Sequence, residues 1–237
     1  MSYSAIVVGA SSAIAQAIIQ ALLDRNDICE IITISRKAQQ TTAKVTPLTC
    51  DYQEHNIAAL CRSLDLRYPV SHVFICNGVL HNEQKKPEKK IEDIDGAALM
   101  DTLHSNTVVP TLWLKHLTPL IKSSTPSKVA IFSARIGSIS DNNLGGWYSY
   151  RASKAALNMM IQTASIELAR RAKNVKLLAF HPGTTDTPLS KPFQSSVPEG
   201  KLFTPEFVAS QLLSLMATME PDGKASYMDW NHKSITW

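Results

Sequence analysis

From residue 4 onward, short β-branched runs alternate with longer segments of helical period, and this alternation limits the possible folds more than any other feature. SAIVVG (4–9), CEIITIS (29–35), KVTPLTC (44–50), HVFICNG (72–78), KVAIFSA (128–134), VKLLAF (175–180) and ASYMDW (225–230) read as strands. Between them, AIAQAIIQALLD (13–24), IAALCRSLDL (57–66), and residues 92–104, 107–122, 147–172 and 205–218 read as helices. Strands that alternate with helices require right-handed crossovers. The expected fold is α/β: a doubly wound, Rossmann-type parallel sheet of seven strands with helices on both faces, in one domain over 1–237. Pro47 places the third strand at an edge or an entry position. Open sheets of this kind bind ligands at the carboxyl ends of their strands, so the residues just after each strand carry the functional argument.

Composition narrows the partners. The net charge of +4 is mild and diffuse, which argues against nucleic acid. The dense cluster KKPEKK (85–90) reads as a solvated loop ahead of a phosphate-binding patch. Cys29, Cys50, Cys61 and Cys76 have no CxxC spacing and read as buried free thiols of a reducing compartment. No apolar run reaches bilayer length, and MSYSAIVVGA has no positive leader region, so a cytoplasmic protein without membrane partners is expected. No metal site is expected.

After the first strand, GASSAIA turns directly into a helix. Gly9, Ser11, Ser12 and Ile14 are candidates to meet a pyrophosphate at the helix N-terminus; the alternative is a plain turn capped by Ser11 or Ser12. After the second strand come Ser35, Arg36 and Lys37. An acid here would bind a ribose 2′-hydroxyl, whereas Arg36 suits a 2′-phosphate, so NADP(H) is favoured and NAD(H) remains possible. An exposed basic loop is the plain alternative. Asp51 and Tyr52 follow the third strand, where Asp51 can accept from an adenine amino group. Asn77 and Gly78 follow the fourth, Gly78 allowing close approach to a ribose. HPGTTDT follows the sixth and contributes Pro182, Gly183, Thr185 and Thr187. In WYSYRASK (147–154), Tyr150 and Lys154 share a helix face, about one turn apart.

GASSAIA, CNG, Asn106 in SNTVVP, Tyr150-x-x-x-Lys154 and HPGTTDT stand in this order at successive strand ends. Together they resemble the short-chain dehydrogenase/reductase family over essentially the whole chain. DNNLGGWYSYRASKAALN and MDWNHKSITW resemble the branch that contains C-factor and the sniffer-type carbonyl reductases. The resemblance implies hydride transfer between NADP(H) and a small carbonyl or alcohol substrate. It assigns Tyr150 as general acid/base, Lys154 as the cation that lowers its pKa from about 10 and holds the nicotinamide ribose, and Asn106 as the holder of a relay water. Tyr148 is the second choice for the acid. It also implies a homo-dimer or homo-tetramer, with Ala152, Met159 and Met160 of the long helix as interface candidates.

Two departures stand out. Ala13 and Ala15 occupy the second and third glycine positions of the family's loop, at a cost of about 1 kcal/mol if the second needs positive φ. The family's substrate-binding serine aligns with Ala134 by strand, with Ser133 just before it. Counted back from Tyr150, it falls beside Ser138. Ser133 is the first choice and Ser138 the second. A signalling protein that binds nucleotide with little turnover is the alternative function. The loop at 80–95 and the segment 188–204 are expected to shape substrate choice, the latter as a lid.

Overall fold

The computed structural model describes residues 1–81 and 86–237. Its strands are β1 (Tyr3–Val8), β2 (Ile28–Ser35), β3 (Val45–Thr49), β4 (Val70–Ile75), β5 (Ser127–Phe132), β6 (Val175–His181), β7 (Thr184–Thr185), β8 (Leu202–Phe203) and β9 (Ser226–Asp229). The helices are α1 (Ala13–Leu23), α2 (Glu54–Ser63), α3 (Gly96–Leu103), α4 (Val109–Ile121), α5 (Tyr148–Arg171) and α6 (Pro205–Thr218). Seven strands pair in the order β3-β2-β1-β4-β5-β6-β9, and every pairing is parallel. β3 is an edge strand, as its proline requires: Pro47 has no N–H to donate.

Strand alternation divides the core into two layers. Ala5, Val7, Phe74 and Phe180 pack with Ile18 and Leu22 of α1 and with Leu212 and Met216 of α6. Ile6, Val8, Ile75 and Ile131 pack with Ile57 of α2, Trp113 of α4 and Leu157 of α5. Trp113, Phe74 and Phe180 are fully buried, each worth about 1.5–3 kcal/mol of apolar burial or more. The helix expected over 92–104 is split: a 3₁₀ turn occupies Ile91–Asp93 before α3. A π turn, His104–Val108, joins α3 to α4.

Three features lie outside the expected elements. β7 and β8 form a separate parallel pair, Thr184 with Leu202 and Thr185 with Phe203, which ties the segment 188–204 to the strand-end loop after β6. A 3₁₀ turn, Lys191–Ser196, lies inside that segment. The KKPEKK cluster is not simply solvated. Lys85 and the rest of 82–85 lie outside the described residues, but Glu88 is buried. Its carboxylate accepts from the Ser149 hydroxyl and, at 3.2 Å, from the Ser149 N–H, while its carbonyl accepts from the Trp147 N–H at 2.6 Å. The reason lies in α5: Trp147 enters it at φ +53 with no side-chain cap of its own, and a carboxylate from elsewhere in the chain satisfies the free N–H groups and the helix dipole.

Candidate active site

α5 begins two residues before Tyr150. Tyr150 is half-buried and Lys154 fully buried. The Lys154 Nζ lies 5.8 Å from the centre of the Tyr150 ring and donates to the Phe132 carbonyl at the end of β5, at 2.8 Å. Asn106 sits in the π turn, with no exposed surface. Its Oδ1 accepts from the Val79 N–H at 2.7 Å, and its Nδ2 donates to the Val79 carbonyl at 2.8 Å and to the Ser153 hydroxyl at 3.0 Å. Asn106 therefore braces the loop after β4 against α5. Gly78 completes this corner: a Cβ there would lie 3.5 Å from Lys154 Nζ and 3.8 Å from Asn106 Oδ1.

Burial dominates the electrostatics, and the result runs against the sequence expectation. Desolvation pulls Lys154 down to about 7. It pushes the Tyr150 phenol above its ordinary value, with Tyr227 adding to the rise. An ammonium that is itself destabilised by burial does not offset the loss of water around the phenol.

Tyr150 lines a cavity of about 720 Å³. Of the residues expected to bind cofactor, Ile14, Pro182, Gly183, Thr185 and Thr187 line the same cavity. Ser11 lines a second hollow of about 380 Å³ together with Lys37. Gly9, Ser12, Ser35, Arg36, Asp51, Tyr52, Asn77, Gly78 and Lys154 line neither, but all except Lys154 stand at or just beyond the carboxyl ends of β1 to β4. Tyr148 does not line the cavity and is partly exposed.

Ser133 does not reach the cavity. It is buried, and its hydroxyl donates to Asn158 Oδ1 at 2.6 Å, one turn beyond Lys154 on α5. Ser138 is also buried and faces elsewhere, accepting from the Asp141 N–H at 3.2 Å. The residue that lines the cavity at this strand end is Ala134, whose carbonyl accepts from the Tyr227 hydroxyl at 2.6 Å. Extended backbone alternates its side chains, so Ser133 and Ala134 point to opposite sides.

The strand ends suit a dinucleotide on several counts. Gly9 has φ +76, and a Cβ there would lie 3.1 Å from the Cys76 carbonyl carbon, so only glycine makes this turn without strain. Ser12 caps α1, its hydroxyl accepting from the Ala15 N–H at 3.3 Å. Ala13 and Ala15 are ordinary helical residues of α1 and carry no positive-φ penalty. Asn77 Oδ1 and Thr185 Oγ1 are buried without a hydrogen-bond partner, an unusual state for polar atoms that a ligand can relieve. Arg36 and Lys37 are exposed, with the Arg36 guanidinium 5.8 Å above the Tyr52 ring. Tyr52 itself holds φ +70. The Ser35 hydroxyl is used locally, donating to the Lys37 carbonyl at 2.5 Å. The Asp51 carboxylate accepts from the Gln53 N–H at 2.9 Å and from Asn56, which holds its pKa below the usual carboxylate value.

Several further residues and contacts shape the site although the sequence motifs assign them no role. His181 lines the cavity with its Nδ1 buried and unpartnered, and burial pulls its pKa down to about 4. Its position before Pro-Gly at a strand end was the available signal. Trp147 lines the cavity and meets Tyr150 edge-on at 6.3 Å and Phe193 at 4.9 Å. Gly137 packs on α5 so closely that a Cβ would fall 2.8 Å from the Lys154 backbone. Gly183, at φ +72, is enclosed by Phe203 and Trp230. No local spacing marks the last two contacts.

The family description "short chain dehydrogenase" matches residues 4–197. The 1-hydroxy-2-glutathionyl-2-methyl-3-butene dehydrogenase of Rhodococcus sp. (strain AD45) is 28% identical over 235 residues, covering 98% of each chain. The structure of the carbonyl reductase Sniffer of D. melanogaster superposes with a TM-score of 0.85 at 19% identity, covering 100% of both chains. An NADPH-bound carbonyl reductase from chicken fatty liver gives 0.84 at 19% identity, covering 100% of this chain and 99% of that one. The chain belongs to the short chain dehydrogenase family of NAD(P)-using oxidoreductases.

Proposed function

We propose that the protein is an NADP(H)-dependent carbonyl reductase in which Tyr150 protonates the substrate oxygen. One observation carries the reading: the Tyr150 phenol and the strand-end residues Ile14, Gly183 and Thr185 line a single cavity. A bound dinucleotide supplies the hydride. The chain's own residues do the rest. Gly9, Ser12 and the N-terminus of α1 form the cradle for pyrophosphate. Arg36 and Lys37, with no acid beside them, suit a 2′-phosphate. Lys154, anchored on the Phe132 carbonyl, has two further N–H donors for ribose hydroxyls. Asn106 holds Gly78 and α5 in register. The Tyr150 phenol, which burial holds above its ordinary value, is protonated at neutral pH and can donate to a substrate oxygen.

Tyr150→Phe is expected to lower turnover of small carbonyl compounds by about 10²–10⁴-fold while NADPH still binds, measured by steady-state kinetics and fluorescence titration. Full activity in that variant rules out the assigned role. A second reading, nucleotide binding with little turnover, is favoured by one observation: just beyond β5 the cavity is lined by Ala134, while the Ser133 hydroxyl is bonded to Asn158. Binding of NADPH without its oxidation across a broad carbonyl panel would select it. The exposed Met159, Met160 and Ile166 on α5 suit pairing with a second copy, which sedimentation would detect. The four unpaired cysteines suit a reducing, cytoplasmic setting. Among the described residues, no helix is long and apolar enough to cross a membrane.

A further inference from the structure

Three cations border the large cavity, and they are not equivalent. Arg135 is already paired: it donates to Asp229 at 2.8 Å and to Asp141 at 3.2 Å. Arg151 is not. Among the described residues it has no carboxylate within ion-pair distance. Its Nε and Nη2 donate only to the neutral carbonyls of Gly146, at 2.9 Å, and Gly145, at 3.1 Å. A guanidinium has five N–H donors, so three remain. Arg151 is half-buried, and desolvation lowers its pKa with no acid to oppose the effect. Lys201, at the exposed mouth, lies 5.5 Å from the Trp230 ring and also has no ion-pair partner among the described residues. Asp141, already bound by Arg135, is the one acid among the lining residues.

The same cavity is lined by the apolar Ile136, Leu144, Trp147, Leu189, Phe193 and Val197, and by neutral polar groups such as Asn143, Thr184 and Ser190 that carry no charge to pair with Arg151. Trp147 and Phe193 meet at 4.9 Å and form an aromatic side to the cavity. Arg151 directly follows Tyr150 on α5. Both side chains line the one cavity, so a molecule whose carbonyl meets the Tyr150 hydroxyl and that extends along the wall can place a second group against Arg151. A neutral apolar substrate would cover those spare N–H groups without satisfying them. A carboxylate would satisfy them with charge-assisted, bidentate geometry.

We propose that the substrate of this site is an apolar, preferably aromatic, keto acid whose carboxylate docks on Arg151, with Lys201 adding attraction at the mouth. The proposal rests on the reading of Tyr150 as the acid for carbonyl reduction. In that reaction the keto carbon gains a hydride from the reduced dinucleotide and its oxygen gains a proton from Tyr150. The products are a hydroxy acid and the oxidised dinucleotide.

The test compares phenylglyoxylate with its methyl ester at low ionic strength, with NADPH. The ester has the more electrophilic ketone, so intrinsic reactivity works against the expected result. The acid should exceed the ester in kcat/KM by at least about 10-fold, the scale of one charge-assisted pair. Arg151→Gln should bring the ratio close to one, and Lys201→Gln should lower it in part, a readout that survives if the arginine variant misfolds. Equilibrium binding of both compounds to the NADPH complex of Tyr150→Phe, followed by tryptophan fluorescence, separates the two claims. Tighter binding of the acid with no turnover in the wild type upholds the carboxylate site and sinks the reductase reading. Turnover of both compounds with no preference for the acid overturns the carboxylate site and leaves the reductase reading standing. Equal or absent binding of both overturns it as well.

Discussion

Around Lys154 the polar groups are enclosed and bonded to one another, whereas around Arg36 they stand in water. Lys154, Asn106 and Ser153 are all buried, held by the Phe132 and Val79 main chain and the 3.0 Å bond from Asn106 to Ser153. Arg36, Lys37 and Asp51 are exposed, and their contacts are local or to a single ring. The difference is physical. Proton transfer needs groups held in place and out of water, because their interactions strengthen there. A phosphate needs only accessible cations, and those can sit on loops. On the proposed function, the surroundings of Lys154 should therefore be sensitive to geometry and pH, and those of Arg36 to charge and salt.

Three measurements can break or sharpen this contrast, beginning with the largest effect. Arg36→Glu should raise the KM for NADPH by about 100-fold, the scale of losing a charged phosphate contact, with little change for NADH. If the proposed 2′-phosphate contact exists, any advantage of NADPH over NADH should also weaken as salt rises, because an exposed contact is screened. Equal loss with both cofactors would show that Arg36 does not meet the 2′-phosphate.

Gly9→Ala should cost about 1–2 kcal/mol for the left-handed backbone alone, plus the crowding of its 3.1 Å contact with Cys76. Gly200→Ala is the control, since Gly200 has φ +71 with open space around it. The Gly9 variant should lose more melting temperature than the control, and it should also lose NADPH affinity. Equal losses would mean that the turn has room to spare.

The last effect, the smallest over any single pH unit, concerns Lys154. Its folded pKa of about 7 lies below the ordinary 10.5. Between those values the unfolded chain holds a proton that the folded chain lacks, so wild-type stability gains with rising pH across that window. The difference in unfolding free energy between wild type and Lys154→Met should grow by about 1 kcal/mol per pH unit from neutral pH upward. Urea unfolding at several pH values reads it, and parallel curves would show that the lysine is not desolvated.

Much of this architecture could be read from residue order. The seven strands, the turn after β1 and the Tyr150–Lys154 spacing rest on short-range periodicity, which local sequence records directly. The edge position of β3 followed from Pro47 for the same reason. What escaped the reading spans long separations. Glu88 caps α5 from 61 positions away. Gly137 owes its identity to the Lys154 backbone, and Gly183 to Phe203 and Trp230. The serine question was ambiguous by counting. In the folded chain Ser133 bonds to Asn158 while Ala134 lines the cavity, a placement that counting along the chain does not reveal.

Residue order was sufficient to place the glycine turn at the end of β1 and the phenol and the amine one turn apart on α5, because both follow from local periodicity. It was not sufficient to set the charge of Lys154, the proton affinity of Tyr150 or the free donors of Arg151. Those depend on how much water and how many counter-charges remain after distant segments close around each group, a sum over neighbours that exists only in the folded chain.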